Sequence, residues 1–208
     1  MNFDAPYQST SITEFWRRWH ISLSTWLRDY LYISLGGNRL GKMRQYLNLM
    51  ITMLLGGLWH GANWKFVVWG GLHGAALAIE KAVQSVVRIP SNFFIRLLGG
   101  LLTFHFVCFC WIFFRASSFE NASEVIHQIT SSFNITIIPE VVAGYRIILL
   151  LMVLGYLLHL FPRKVDAGIE NGLSRSPLFI KSLVLAVAIY LVIQVRSAGI
   201  PPFIYFQF

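Results

Sequence analysis

The sequence has few charged residues for its length. Only 12% of its 208 residues are Asp, Glu, Lys or Arg, and the acidic ones number nine. By contrast, 56% are hydrophobic and 15% aromatic, and the mean hydropathy is +0.60. Water alone would not keep such a chain folded and soluble. The composition therefore excludes an ordinary soluble domain and predicts an integral membrane protein.

The sequence also lacks the motifs of common metal and serine enzymes. It contains no HExxH, no G-x-S-x-G and few acidic residues near its histidines, which argues against a metal site and against a serine nucleophile. Its two cysteines, Cys108 and Cys110, lie two positions apart in one apolar run. Side chains at that spacing on a helix point in different directions, so we expect neither a disulfide nor a metal pair there.

The net charge of +8 does not indicate nucleic-acid binding. The basic residues occur in short clusters between apolar segments, without the stripe of Lys and Arg interleaved with exposed aromatics that nucleic-acid binding needs. Such clusters are typical of cytoplasmic loops and of contacts with lipid headgroups. We therefore expect membrane lipid, and no nucleic acid, among the partners of the chain.

The first residues are polar, and we expect no signal peptide there. Five apolar segments follow, at about residues 46–59, 64–80, 97–114, 147–161 and 178–195. The first has about 14 residues, which rise about 21 Å against a hydrocarbon core of about 30 Å and are too few to cross it. Because Gly56, Gly57 and Gly61 end this segment, we predict that it pairs with the second in a broken or re-entrant hairpin with His60 at its tip.

Residues 13–32 predict one uninterrupted amphipathic helix, at the membrane interface or packed on a bundle, because they contain neither proline nor glycine. Ser11 and Glu14 have the spacing of a capping box ahead of it. The helix would oppose a wide aromatic face to a cationic one, with His20 near the edge of the apolar face. The predicted fold is thus all-α and polytopic, a single membrane domain over residues 1–208, with an interfacial region at 1–44 and membrane helices at 45–208.

The basic residues also predict a topology. If the hairpin enters and leaves on one side, ten Lys and Arg residues collect on that side and only Lys65, Arg115, Arg146 and Arg196 on the other. The richer side is expected to be cytoplasmic. This places the His60 turn within the membrane or toward its outer face, and places Ala198, near the C-terminus, outside.

His60 is the most prominent candidate for chemistry. It lies in the apolar run LLGGLWHGANW at residues 54–64, where an ionisable group is costly and so indicates function. The glycines allow close approach of a ligand, and Asn63 can bind an oxyanion. A neutral imidazole suits removal of a hydroxyl proton. The alternative is a hydrogen-bonded histidine that only stabilises a tight turn.

The other histidines have competing interpretations. His20 is either functional or an interface residue whose ring reaches toward water. His73 lies 13 residues after His60, so a direct pair between them requires the chain to bend. His105 and His159 fall in apolar segments and suit helix packing, while His127 is expected to be exposed.

Three stretches resemble a known family. They are PYQSTSITEFWRRWHISLSTWLRDYLY at residues 6–32, LGGNR at 35–39 and GLWHGANW at 57–64. They look like the membrane-bound O-acyltransferase family, and within it the bacterial branch with alginate O-acetyltransferases and the teichoic-acid D-alanyl transfer protein. The ending PFIYFQF at 202–208 also looks like that branch.

The resemblance implies transfer of an acyl group, acetyl being the expected one, to a hydroxyl of an extracytoplasmic polysaccharide or envelope polymer. It implies His60 as the catalytic residue and His20 as a second active-site residue. We add four residues as substrate-binding: Asn63, Trp59, Arg17 and Arg28. No tightly bound cofactor is expected. The donor would be a co-substrate such as acetyl-CoA or an acyl carrier protein, and the acceptor a polysaccharide or a periplasmic acyltransferase partner, at the bacterial inner membrane.

Members of this family are usually about twice as long, with a block of membrane helices ahead of the matching region. The resemblance therefore implies that this chain is a C-terminal half, with little turnover by itself because part of the site would be missing. Two other interpretations stay open. One is a non-catalytic scaffold or partner-binding half, and the other is a transporter-like half whose hairpin lines a substrate path.

Overall fold

The structure is a computed structural model that describes residues 1–88, 90, 92–160 and 163–196. Regular structure in these residues is entirely helical, which confirms the all-α prediction. The predicted outside position of Ala198 and the PFIYFQF ending lie outside the described residues. The chain divides into two compact units, Met1–Asn134 and Ile135–Phe208. All predicted site residues lie in the first unit, and the boundary placed between residues 44 and 45 stays a prediction.

The described residues of the first unit form six α-helices. A short 3₁₀ turn at Pro6–Gln8 precedes α1 (Ile12–Arg18) and α2 (Ile21–Trp26), and π-helical turns continue α2 through Leu27–Tyr32. The longer helices are α3 (Lys42–Trp59), α4 (Trp64–Val86), α5 (Phe93–Arg115) and α6 (Phe119–Ser131). Side-chain caps begin several of them: Ser11 at α1, Asn63 at α4, Asn92 at α5 and Ser118 at α6. Each cap accepts a hydrogen bond from a backbone N–H that would otherwise lack a partner.

The predicted uninterrupted helix over residues 13–32 is wrong. The region is helical, but it breaks between α1 and α2, where His20 adopts the left-handed conformation with φ 42° and ψ 58°. The N-terminal segment makes the break possible, because Asp4 N–H donates to Arg18 O at 2.9 Å and Ile21 N–H donates to Asn2 O at 2.9 Å. A periodicity calculated on one continuous helix therefore does not describe which way His20 faces.

The predicted hairpin is present, with α3 and α4 as its arms and residues 60–63 as its turn. Its first arm is longer than predicted, because the helix begins at Lys42 among polar residues rather than at Tyr46. Glycines bring the arms together: a Cβ on Gly57 would meet the backbone oxygen of Phe66, and one on Gly70 would meet that of Met53.

Among the described residues, α4 and α5 are each long and apolar enough to cross a membrane. In the second unit, a 3₁₀ turn at Ile135–Ile137 runs into α7 (Ile138–Gly144), and this segment meets α8 (Arg146–His159) at a bend of 86°; the pair together passes the same test. The unit continues with α9 (Arg163–Arg175) and α10 (Leu178–Arg196), whose apolar stretch is Leu178–Ile193.

The core of the first unit joins helices that are far apart in sequence. One buried cluster contains Ile12 and Phe15 from α1, Met53 from α3, Leu77 from α4 and Val107 from α5. A second contains Trp69, Cys110, Phe113 and Ala122, from α4, α5 and α6. Helix α1 therefore packs on the hairpin and on α5. This packing places Trp16, which lies on α1, and the break at His20, which follows the end of α1.

Candidate active site

His60 lies at the C-terminal end of α3, where the chain turns into α4. Its backbone N–H donates to Gly57 O at 3.0 Å and so ends the helix in a tight turn. The next residue, Gly61, has φ 150°, and a Cβ there would lie 2.9 Å from Cε2 of Phe66. A side chain at Gly61 would therefore strain the backbone and displace the Phe66 ring.

Four aromatic rings surround the half-buried His60 imidazole, and we call them the His60 cage. The ring centroids of Trp59 and Phe114 each lie 4.9 Å from that of His60. Trp69 meets it edge-on at 5.5 Å, and Phe66 lies at 6.1 Å. The cage thus brings together the end of α3, the first turns of α4 and the end of α5.

The cage favours the neutral form of the imidazole. Burial, and to a smaller extent the positive charge of His20, lowers the pKa of His60 from 6.5 to about 4. The rings of the cage carry no titratable group, so they supply no counter-charge to an imidazolium. At neutral pH, His60 is therefore an uncharged imidazole that is able to accept a proton.

His20 acts on His60 across 40 positions of sequence. It is half-buried at the start of α2, its Nδ1 lies 3.4 Å from the hydroxyl of Ser22, and its ring centroid lies 6.1 Å from that of Phe3. A non-glycine residue with positive φ persists only where its surroundings hold it there, and such residues cluster at functional sites. The structure thus brings the two predicted histidines within electrostatic range of one another.

The four residues predicted to bind substrate divide into two pairs. Trp59 and Asn63 lie beside His60, and both are exposed. The Asn63 side-chain oxygen accepts the N–H of Lys65 at 3.1 Å, and the two N–H groups of the same amide are the donors that a ligand can use. Arg17 is exposed on α1, and Arg28 is held by Asp29, with 2.7 Å between Nε and Oδ1.

Lys65 connects the His60 cage to the C-terminal end of α5. Its ammonium lies 4.7 Å from the ring centroid of Phe66 and donates to the backbone oxygen of Ala116 at 2.5 Å. Phe114, two residues before Ala116, contacts both Phe66 and His60. This bond therefore holds the α5 wall of the cage against α4.

The sequence interpretation missed the connection between His73 and this site. His73 is only 1% exposed, and Trp69 lies between the two histidines, with its ring centroid 4.9 Å from His73 and 5.5 Å from His60. The chain bends at residues 60–63, which is what a direct pair of the two histidines would require. The structure connects their rings through Trp69, which packs against both. The i, i+4 spacing of Trp69 and His73 was the available signal.

The described residues contain no group of three or more His, Cys, Asp or Glu side chains that could hold a metal ion. The chemistry open to the site is that of an uncharged imidazole in an apolar cage, with an amide donor in the same turn. A general base and an oxyanion donor are the groups that acyl transfer to a hydroxyl requires.

Comparisons with known proteins identify the family of the chain. The model of MBOAT, the membrane-bound O-acyltransferase family, matches residues 1–122. A probable alginate O-acetylase, AlgI, of Pseudomonas putida is 40% identical over 100% of this chain and 46% of its own length.

Two further relatives match a shorter part. The peptidoglycan O-acetyltransferase of Helicobacter pylori is 46% identical over 61% of this chain and 24% of its own length. The teichoic acid D-alanyltransferase of Bacillus subtilis is 31% identical over 58% of this chain and 33% of its own length. The matches thus cover less than half of each relative. Both candidate histidines lie inside the region that the family model matches. The chain is a membrane protein that belongs to the membrane-bound O-acyltransferase family.

Proposed function

We propose that this chain transfers an acyl group, acetyl being the expected one, to a hydroxyl of a polysaccharide or another envelope polymer outside the cytoplasm. The observation that carries the proposal is the uncharged, half-buried imidazole of His60 in an aromatic cage at the turn of the hairpin. The similarity to an alginate O-acetylase and to a peptidoglycan O-acetyltransferase supports the class of acceptor.

In the proposed reaction, His60 accepts the proton of the acceptor hydroxyl as the hydroxyl oxygen attacks the acyl carbonyl carbon of a thioester donor. A C–O bond forms, and the carbonyl oxygen takes the negative charge of a tetrahedral intermediate. When the C–S bond breaks, the leaving thiolate receives the proton from the His60 imidazolium. A positioned base of this kind typically contributes about 10²- to 10⁴-fold to the rate.

The neighbouring residues take supporting roles in this proposal. The amide of Asn63 donates to the oxyanion, and His20 binds or polarises a substrate group. Trp59, Arg17 and Arg28 bind substrate, Trp59 through its exposed ring beside His60. The donor is a co-substrate such as acetyl-CoA or an acyl carrier protein. The acceptor is a polysaccharide or a periplasmic acyltransferase partner, and the protein lies in the bacterial inner membrane.

The proposal is tested with His60→Ala, assayed for acyl transfer in membranes of cells that produce the protein. We expect transfer to fall about 10²- to 10⁴-fold while the amount of protein in the membrane stays unchanged. The control is His127→Ala, which removes an exposed imidazole from α6 and is expected to leave transfer unchanged. Normal transfer by His60→Ala would favour the non-catalytic scaffold instead.

A further inference from the structure

The N-terminal residues Asn2 and Asp4 hydrogen-bond to both helix ends at the break beside His20. On the side of α1, Asp4 N–H donates to Arg18 O at 2.9 Å, and Nη1 of Arg18 donates to Asp4 O at 3.3 Å. On the side of α2, Ile21 N–H donates to Asn2 O at 2.9 Å, and Ser22 N–H donates to Oδ1 of Asn2 at 3.0 Å. Asn2 thus supplies two acceptors to the first two N–H groups after His20.

An uninterrupted helix would need none of these bonds. The N–H groups of residues 21 and 22 would then donate to the carbonyl groups of residues 17 and 18, four positions earlier. Instead, Arg18 O accepts from Asp4, and the acceptors for Ile21 and Ser22 come from Asn2. The bonds lost at the break are therefore replaced by the N-terminal segment, and the left-handed His20 depends on this replacement.

His20 itself does not cap the helix that it precedes. No side-chain capping bond is made by His20 at α2, whereas the equivalent positions of α1, α4, α5 and α6 each cap their own helix. Because Asn2 performs the capping from another part of the chain, neither ring nitrogen of His20 is used as a helix cap, and its Nδ1 lies 3.4 Å from the hydroxyl of Ser22 instead. A ring nitrogen used as a cap could not also bind substrate at that nitrogen.

We propose that Asn2 is a positioning residue that holds His20 in its left-handed conformation and so sets the place of its imidazole relative to His60. The inference rests on the proposed function, in which His20 is an active-site residue. Asn2 acts through His20 and does not touch the substrate. Its side-chain oxygen is the part that a substitution can remove, because the backbone oxygen remains in every variant.

The test compares Asn2→Ala with Asn2→Asp, which keeps an acceptor oxygen at the same position. The control is Asn92→Ala, which removes a similar bond at the start of α5, where Asn92 Oδ1 accepts the N–H of Ile95 at 2.9 Å. We expect kcat/KM for acyl transfer to fall roughly tenfold in Asn2→Ala and to stay near the wild-type value in Asn2→Asp and Asn92→Ala.

A double substitution separates positioning from general destabilisation. In a His20→Ala background, adding Asn2→Ala should have no further effect on kcat/KM, because the residue through which Asn2 acts is gone. A full additional loss in that background would overturn the proposal, as would equal effects of Asn2→Ala and Asn92→Ala.

Hydrogen exchange at the Ser22 amide gives a readout that does not depend on activity. Exchange should become faster in Asn2→Ala and stay slow in Asn2→Asp. If the wild type transfers acyl groups and His60→Ala transfers them equally well, the proposed function fails. The exchange result still decides whether Asn2 holds the break. Unchanged exchange at the Ser22 amide in Asn2→Ala would overturn the proposal. This result counts even if His20→Ala has too little turnover for the double-substitution test.

Discussion

The indole N–H of Trp16 donates to Nδ1 of His73 across 3.3 Å and joins α1 to the middle of α4. Since an indole nitrogen only donates, Nδ1 of His73 is the acceptor and the ring proton is on Nε2. Trp16 and Trp69 both pack edge-on against this imidazole, with ring centroids at 5.2 and 4.9 Å. Trp69 in turn forms one wall of the His60 cage, so the bond helps to orient the candidate base.

Trp16→Phe should destabilise the protein. The variant keeps an aromatic ring but leaves the buried Nδ1 of His73 without its donor, which costs about 1–3 kcal/mol. Thermal unfolding in detergent measures the change. Trp26→Phe is the control, because Trp26 is 54% exposed and should cost less. Equal destabilisation by the two variants would contradict the assigned role of the Trp16–His73 bond.

Adding His73→Phe to Trp16→Phe should recover part of the lost stability, because the unpaired acceptor is then removed as well. A double variant that loses the sum of both single effects would mean that the two side chains contribute independently.

Gly70→Ala should disrupt the hairpin, whereas Gly71→Ala should not. A Cβ at Gly70 would run into the backbone oxygen of Met53, which cannot move without shifting α3, while a Cβ at Gly71 would meet only Cδ2 of Leu54 at 3.6 Å. We expect a loss of about 1–3 kcal/mol or more for the first and a small gain from helix propensity for the second. Unfolding midpoints of the two variants test this, and equal midpoints would contradict the close packing.

The pH dependence of transfer should reflect the lowered pKa of His60. Because that pKa is about 4 rather than 6.5, His60 stays unprotonated as the pH falls through 6.5, and the acid limb of kcat/KM should lie well below the usual pKa of a histidine. His20→Gln should move the limb upward, because it removes the charge that helps to lower the pKa of His60. A limb at or above pH 6.5 in the wild type would contradict the cage assignment.

The stability of the folded protein should also depend on the protonation of His60. Between pH 4 and 6.5 the unfolded chain binds a proton at this imidazole and the folded chain does not, so stability rises with pH across this window. The stability that depends on a neutral His60 is fully present above about pH 6.5 and is lost as the pH falls toward 4. His60→Phe should flatten this part of the dependence of the unfolding midpoint on pH.

The two ends of α4 should lie on opposite sides of the membrane. Its 23 residues rise about 34 Å, enough to cross a hydrocarbon core of about 30 Å. In a background of Cys108→Ala and Cys110→Ala, we expect Ser123→Cys, at an exposed position of α6, to react with an impermeant thiol reagent from outside. Ser85→Cys, near the end of α4, should react only after permeabilisation. The opposite pattern would overturn the predicted orientation of the His60 turn.

Much of the helical architecture was predictable from sequence because its causes are local. Apolar segments and the glycines around His60 predicted the hairpin and its turn. His60 was identifiable for the same reason, because an ionisable residue in an apolar glycine-rich run is costly wherever the rest of the chain lies.

The break at His20 and the environment of His60 were decided by tertiary structure. Nothing between residues 13 and 32 interrupts a helix, and it is Asn2 and Asp4 that supply the hydrogen bonds that make a break possible. The rings around His60 come from α3, α4 and α5, and the partner of His73 lies 57 positions earlier, at Trp16. Composition and periodicity describe neighbours along the chain, whereas burial, the lowered pKa and the replacement of helix bonds arise from residues that meet only after folding.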